Sequence, residues 1–249
     1  MDVSVLITVK NDVENSRRML RSLYGVKGEF EVIVVDAYSD DGTFELFVDE
    51  GKNLRMTVER KKGNRAMGRN RCIELSTGRK LVFLDSDTEV PSDWIQKLIK
   101  HSDKDIVAGK IIQKSDKRWG DLGRVPIYFK NQDVTFPSNN LMYDRSVLDN
   151  IGRFDEAFQT AEDIDLNVRA VEAGFSIEYV EELEIFHYPR MTYFSLLKQS
   201  YYDGVGRRIL KRKHGLKSSL NLSNVKRHPI IEVSRLGMGM LGYTIGEFR

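Results

Sequence analysis

Three short stretches of the chain are apolar at almost every position: Val3–Val9, residues 30–35 and residues 80–84. Runs of this kind, rich in Val and Ile and closed by Asp, Asn, Ser or Gly, predict strands buried on both faces, as in a parallel sheet. Helical patterns separate them. Residues 12–24 bring Val13, Met19, Leu20 and Leu23 onto one side, and residues 42–50 and 64–76, the latter closed by Gly78, read as two further helices. Alternating strands and helices predict an α/β fold with a mostly parallel, doubly wound sheet and right-handed crossovers. A ligand of such a sheet lies at the carboxyl ends of its strands.

Beyond residue 84 the pattern loosens. Residues 94–100 read as a short helix and 106–112 as another strand, whereas 113–137 is polar and irregular, with Trp119, Tyr128, Phe129 and Phe136 scattered through it. A segment of that length inside a compact domain predicts a binding loop or lid. Residues 140–143, a helix over 163–173 and strands near 176–180 and 185–187 complete the expected domain, followed by a long basic helix over 192–213. A polar, Ser/Asn-rich linker at 217–228 then leads to a tail whose apolar stretch, 236–245, contains Gly237, Gly239 and Gly242. That stretch falls well short of the ~20 apolar residues that span a bilayer. An interfacial helix, a helix on a partner and a helix docked on its own domain all fit it. The expected organisation is one α/β domain over 1–215 and a linker with a short helical tail over 216–249.

Composition narrows the class. With 41% hydrophobic and 31% charged residues among 249, wholesale disorder and a polytopic membrane protein are excluded. Cys72 is the single cysteine, so neither an internal disulfide nor a Cys-rich zinc module exists. The first apolar run follows an acid and lacks the basic start of a signal peptide, which predicts a buried strand and a cytoplasmic protein. The net charge of +2 is unevenly spread: residues 198–227 carry nine Lys/Arg against Asp203 alone, a net of +8, leaving about −6 on the first 197 residues. That asymmetry points the C-terminal end toward phosphate or an anionic surface, though a solvated helix face has the same composition. Aromatic side chains and base-reading motifs are not interleaved with these charges, so nucleic acid is not expected as a partner.

Candidate chemistry clusters where the strands end. Asp85-Ser86-Asp87 directly follows the strand at 80–84, and two carboxylates one residue apart at a strand end suit a hard divalent cation such as magnesium or manganese; acidic turns after strands are also common for purely structural reasons. Glu162-Asp163 opens a helix, where the dipole favours carboxylates whether or not they act as a general base. Asp36 ends the second strand and begins a turn rich in capping residues, at the edge of any pocket formed there. His187, taken alone, reads as a structural histidine.

In order along the chain, Val3 to Asn11, Val34-Val35-Asp36 through Asp41-Gly42-Thr43, Gly68-Arg69-Asn70, Leu84-Asp85-Ser86-Asp87, Asn139-Asn140, Gly152-Arg153-Phe154-Asp155, Glu162-Asp163-Ile164-Asp165-Leu166 and His187 resemble the successive motifs of family 2 glycosyltransferases with the GT-A fold. The resemblance covers roughly residues 3 to 210, and the ordered set is far more specific than any one motif. It implies an inverting, metal-dependent enzyme that moves one sugar from a UDP- or GDP-sugar to an acceptor hydroxyl. By that resemblance Val9, Asn11 and Asp36 hold the nucleoside, Arg69 lies beside the nucleotide, and Asp85 and Ser86 line the donor site. Asp87 binds magnesium or manganese at the diphosphate with His187 as an additional ligand, and Asp163 is the catalytic base with Glu162 placing the acceptor. Arg207 and Arg208 in the basic helix are candidates for a second diphosphate clamp.

Departures from the family pattern also carry information. Ala37 stands where many members have a second acid, which leaves uridine and guanosine both open. The Gln/Arg-x-x-Arg-Trp motif of processive synthases is missing, since Val205-Gly206-Arg207-Arg208 has no tryptophan; this favours single transfers. The acceptor expected is a carbohydrate or a lipid-linked molecule bound under residues 113–137, with the basic helix and tail making peripheral contact at the inner face of a membrane. Two rival classes stay open. A nucleotidyltransferase would show a Gly-rich phosphate loop after the first strand, which residues 8–12 lack, and a non-catalytic nucleotide-sugar-binding subunit would not need Asp163, Asp87 and His187 together.

Overall fold

The computed structural model describes residues 2–114, 126–189, 192–216 and 229–245. The chain begins β1 (Val3–Val9), α1 (Val13–Tyr24), β2 (Glu31–Asp36), α2 (Thr43–Glu50), β3 (Met56–Arg60), α3 (Arg65–Leu75) and β4 (Lys80–Asp85). It continues through β5 (Thr88–Glu89), α4 (Trp94–Ile99), β6 (Ile106–Gln113), a small hairpin of β7 (Tyr128–Phe129) and β8 (Gln132–Asp133), and β9 (Leu141–Asp144). Then come α5 (Arg145–Ile151), α6 (Glu162–Glu172), β10 (Ile177–His187), α7 (Tyr193–His214) and α8 (Pro229–Ile245).

The central sheet has the order β3-β2-β1-β4-β9-β6-β10-β5. The apolar runs explain its layering, because successive side chains of a strand point to opposite faces. Val5, Ile7, Val32, Val34, Val82 and Leu84 pack on one face with Leu20 and Leu23 of α1, Phe47 of α2 and Trp94 of α4. Their alternates Leu6, Ile33, Val35, Leu81 and Phe83 pack on the other with Cys72 and Ile73 of α3, Leu148 of α5 and Leu166 of α6. Both faces of the sheet are therefore covered, as continuous apolar strands require.

β3, β2, β1 and β4 run parallel to one another, and β9 runs antiparallel between β4 and β6. Register sets β1 and its neighbours level at their carboxyl ends, with Val9 opposite Asp36 and Thr8 opposite Asp85. The two strands expected near 176–180 and 185–187 are one strand, β10, whose register shifts between Val180 and Glu184. That irregularity lets a single long strand bend beside β6 and still deliver His187 to Thr88 of β5.

A third apolar cluster joins Ile127 and Val134, Phe158, Val168 and Val171 of α6 and Leu210 of α7. Polar contacts reinforce it: Asp165 accepts from Lys213 Nζ at 2.8 Å and from His214 Nε2 at 2.7 Å. Part of the expected basic patch thus faces inward. α8 packs along α7, which matches the docked-helix alternative for the tail. Residues 115–125 of the irregular segment, Trp119 among them, and the 217–228 linker lie outside the described residues.

Candidate active site

At the end of β1 the chain turns through Asn11, whose φ of 49° lies in the left-handed region that Asn tolerates better than most residues. Its backbone N–H donates to Ser39 Oγ at 2.8 Å, and its Oδ1 accepts from the Asp40 N–H at 3.1 Å. These bonds tie the β1 turn to the β2 turn. Asp36 is fully buried there. Its Oδ1 accepts the Ser39 N–H at 2.9 Å and lies 3.6 Å from Arg60 Nε, whereas its Oδ2 is buried with no hydrogen-bond partner. Tyr38, also left-handed at φ 59°, is exposed beside it with the Lys62 ammonium 5.3 Å from its ring centre.

The three side chains of the turn after β4 point to three different partners. Asp85 Oδ1 is bound by Arg69 at 3.1 Å, Ser86 Oγ donates to Asp12 Oδ2 at 3.0 Å, and Asp87 Oδ2 lies 3.2 Å from His187 Nε2. The Arg69 guanidinium thus engages Asp85, whereas Asp87 faces His187. Asp87 Oδ1 is buried without a partner. His187 is oriented by Gln113, whose Oε1 lies 2.8 Å from Nδ1; Nδ1 is then the donor, and Nε2 is left to face Asp87. Burial alone would lower the His187 pKa, but the Asp87 and Asp85 carboxylates raise it above its ordinary value. Among the described residues no group of three His, Cys, Asp or Glu side chains could hold a metal. Asp87 and His187 still fit a divalent ion, since such ions commonly take one or two protein ligands and complete their shell with substrate phosphates.

α6 begins at Glu162 after Ala161, a non-glycine residue at φ 63°. Backbone of that kind is held only where its surroundings over-determine it. Glu162 is buried against Arg69, which hydrogen-bonds it through Nη1 while Nη2 reaches Asp85. One planar guanidinium therefore joins the β4 turn to the start of α6. Burial opposes its charge, yet Glu162, Asp85 and Asp163 together hold it above the usual arginine value. Asp163, half-buried, accepts the Ser138 N–H at 3.3 Å on Oδ2. Burial, and then the neighbouring Glu162 charge, push its carboxyl up to about 6 against the pull of Arg69.

Below this segment Asn140 Nδ2 donates to the carbonyls of Lys110 and Leu183 at 3.1 and 2.8 Å. Gly109 makes the approach feasible, since a Cβ there would sit 2.1 Å from Asn140 Nδ2. Gly206 of α7 lies against Thr160 and Ala161, where a Cβ would meet their side chains at 3.1 and 3.0 Å. Arg207 follows it, half-buried and one turn from Asp203, but among the described residues it is not hydrogen-bonded to Asp85, Asp87 or His187. Arg208 points elsewhere, donating to the Thr244 carbonyl of α8 at 2.9 Å. Sequence reasoning missed Gln113, Ser138 and Asp12. Ser138 acts through its backbone, so its side chain gave no signal; Asp12 was legible only as a helix-start residue.

A sheet of this order with acid-rich turns at its carboxyl edge and helices closing the C-terminal side is the GT-A architecture, and solved structures share it. A mannosyltransferase from Pyrobaculum calidifontis, in complex with GDP-Man and Mn2+, aligns over 98% of this chain and 76% of its own with a TM-score of 0.69 at 16% identity. TarS from S. aureus, in complex with UDP-GlcNAc, aligns over 98% and 82% with a TM-score of 0.66 at 18% identity. Residues 4–154, more than half the chain, match the model of glycosyl transferase family 2, and the protein belongs to that family. It is a glycosyltransferase. A curated relative, glycosyltransferase AglE of Haloferax volcanii, is 28% identical over 82% of this chain and 72% of its own. The pre-mycofactocin glycosyltransferase of Mycobacterium tuberculosis is 27% identical over 82% of this chain, which spans about half the relative's length, 46%.

Proposed function

We propose that the chain transfers one sugar at a time, with inversion, from a nucleoside-diphosphate sugar to the hydroxyl of a carbohydrate or lipid-linked acceptor. The observation that carries the donor half is the pair of open, buried carboxylate oxygens that flank the end of β1, Asp36 Oδ2 at the end of β2 and Asp87 Oδ1 just beyond β4. A buried acceptor left unpartnered is costly, so each is a place where a ligand group lowers the free energy. Asp36 suits an N–H of the base or a ribose hydroxyl. Asp87 and His187 suit magnesium or manganese, which would supply positive charge beside the departing diphosphate. The Mn2+ and nucleotide-sugar complexes of the fold neighbours support this reading.

Asp163 supplies the acceptor half. The acceptor oxygen attacks the anomeric carbon from the face opposite the diphosphate as Asp163 takes its proton. The carbon–oxygen bond to the diphosphate breaks, and its electron pair leaves with the nucleoside diphosphate. A carboxyl near 6 is ionised at neutral pH yet basic enough to accept a proton in the transition state. Arg69 keeps Glu162, and through it Asp163, at a fixed reach from the Asp85 turn.

The test is thermal unfolding with UDP, GDP, CDP or ADP, each with manganese or with EDTA, on wild type and Asp87→Ala. At about 100 times its dissociation constant a true ligand adds about 2.7 kcal/mol, or a rise of about 5–10 °C for a chain of this size. The rise should need manganese and vanish in Asp87→Ala. No response to any nucleotide, or an unchanged response in the variant, would overturn the donor assignment.

A further inference from the structure

The charged side chains of α8 face the protein, and its outward face is mostly apolar. Its only charged residues, Glu232 and Arg235, pair at 2.9 Å on the α7 side, with Glu232 buried. Its outward stripe is Ile230, Val233, Gly237, Met240, Leu241 and Ile245, with exposures of 77% at Ile230, 60% at Val233 and 58% at Met240. Rotation cannot hide this stripe, because backbone contact fixes the seating: a Cβ at Gly204 would lie 2.0 Å from the Gly239 carbonyl oxygen, and one at Gly242 1.9 Å from that of Tyr201. Tyr193 donates to Ser234 Oγ at 2.8 Å near the start of both helices, and Arg208 reaches Thr244 near their ends. The two helices therefore run side by side in the same direction. α7 exposes Phe194 and Lys198 near its start and Lys211 and Arg212 near its end, with the Lys211 ammonium 5.8 Å from the Tyr243 ring centre of α8.

We propose that the α8 stripe and the exposed basic side chains of α7 bind the headgroup region of an anionic phospholipid bilayer, with α8 lying in the membrane plane. An uncharged apolar stripe with Lys and Arg on the neighbouring helix is what such a surface recognises. Seventeen residues make a helix only ~26 Å long, and among the described residues no helix is long and apolar enough to cross a membrane. A second copy of the chain fits less well. A stripe ~10 Å wide offers about 260 Å², a third of the ~800 Å² per partner of a stable interface, and it would bring two sets of basic side chains together. Docking would hold the Thr160–Ala161 segment, which touches α7 at Gly206, one helix away from the lipid.

The full chain is to be sedimented with vesicles of phosphatidylcholine alone or mixed with phosphatidylglycerol. Binding is expected only with the mixed vesicles, weakened by salt, lost in Val233→Asp/Met240→Asp, and reduced about 25-fold or more in Lys198→Glu/Arg212→Glu, at about fivefold per basic side chain. All four positions are exposed, and the manganese-dependent nucleotide response reports that each variant is folded. Wild type staying in the supernatant with both vesicle types, or equal binding by the Asp variant, would overturn the proposal. So would a dimer in light scattering that the Asp variant dissolves while neither protein binds vesicles.

Discussion

Replacing Glu162 by Gln removes a negative charge from beside Asp163 while keeping the shape and the oxygen that accepts from Arg69. The Asp163 carboxyl stands at about 6 against an ordinary 3.8, a rise of roughly two units in which burial is the larger cause and Glu162 the next. Losing an anionic neighbour favours the ionised form, so the carboxyl of the variant falls below about 6. In initial-rate measurements of kcat/KM from about pH 5 to about pH 8 the acid limb should move to lower pH. At about pH 5 wild type, with its base near 6, should retain about a tenth of its plateau, and the variant severalfold more. A limb that stays in place, or moves upward, would refute Asp163 as the titrating base or Glu162 as the group that perturbs it.

Asp163→Asn should abolish transfer while leaving nucleotide binding intact, and should stabilise the fold at neutral pH. A folded-state pKa of about 6 against 3.8 means the native state favours the protonated acid. That advantage is complete below about pH 4 and lost as pH rises through about 6, so wild type alone carries a penalty of about 1–3 kcal/mol above pH 6; unfolding curves at about pH 4.5 and about pH 7.5 should show the variant's gain only at the higher value. Asp144→Ala removes the carboxylate that accepts from the buried Lys80 ammonium at 2.8 Å, and leaving that cation unpaired should cost about 3–5 kcal/mol in urea unfolding. The Asp144 carboxyl is held well below the usual range: burial opposes this, but bonds from Lys80, Ser146 and Arg79 prevail. Its contribution is therefore present above about pH 4 and lost only as pH falls toward its lowered value.

Legibility followed burial. β1, β2 and β4 are apolar on both faces and stood out as continuous runs. β3 did not, because Met-Thr-Val-Glu-Arg at the sheet edge is only partly covered and its last residue, Arg60, is turned to Asp36 and Glu45. α5 is short, and β5 is two residues long, so neither carries a periodic signal. Nothing local tells that β9 runs antiparallel, since its burial is the same in either direction. At the site, acids and His187 were visible as motifs in order. The part of Arg69 as the bond between Asp85 and Glu162 was not, because those partners lie 16 and 93 positions away.

That guanidinium also bears on engineering. A flat fork engaged on both tines leaves the β4 turn and the start of α6 no freedom to drift apart, and lysine, a single point charge on a flexible stem, cannot replace it. On the proposed function, libraries aimed at new sugars or acceptors would do better to spare Arg69, Asp85 and Glu162 and to vary the exposed Tyr38 and Lys62 near Asp36. The proposed reaction centre would then be a fixed gauge, and specificity the part of the molecule open to revision.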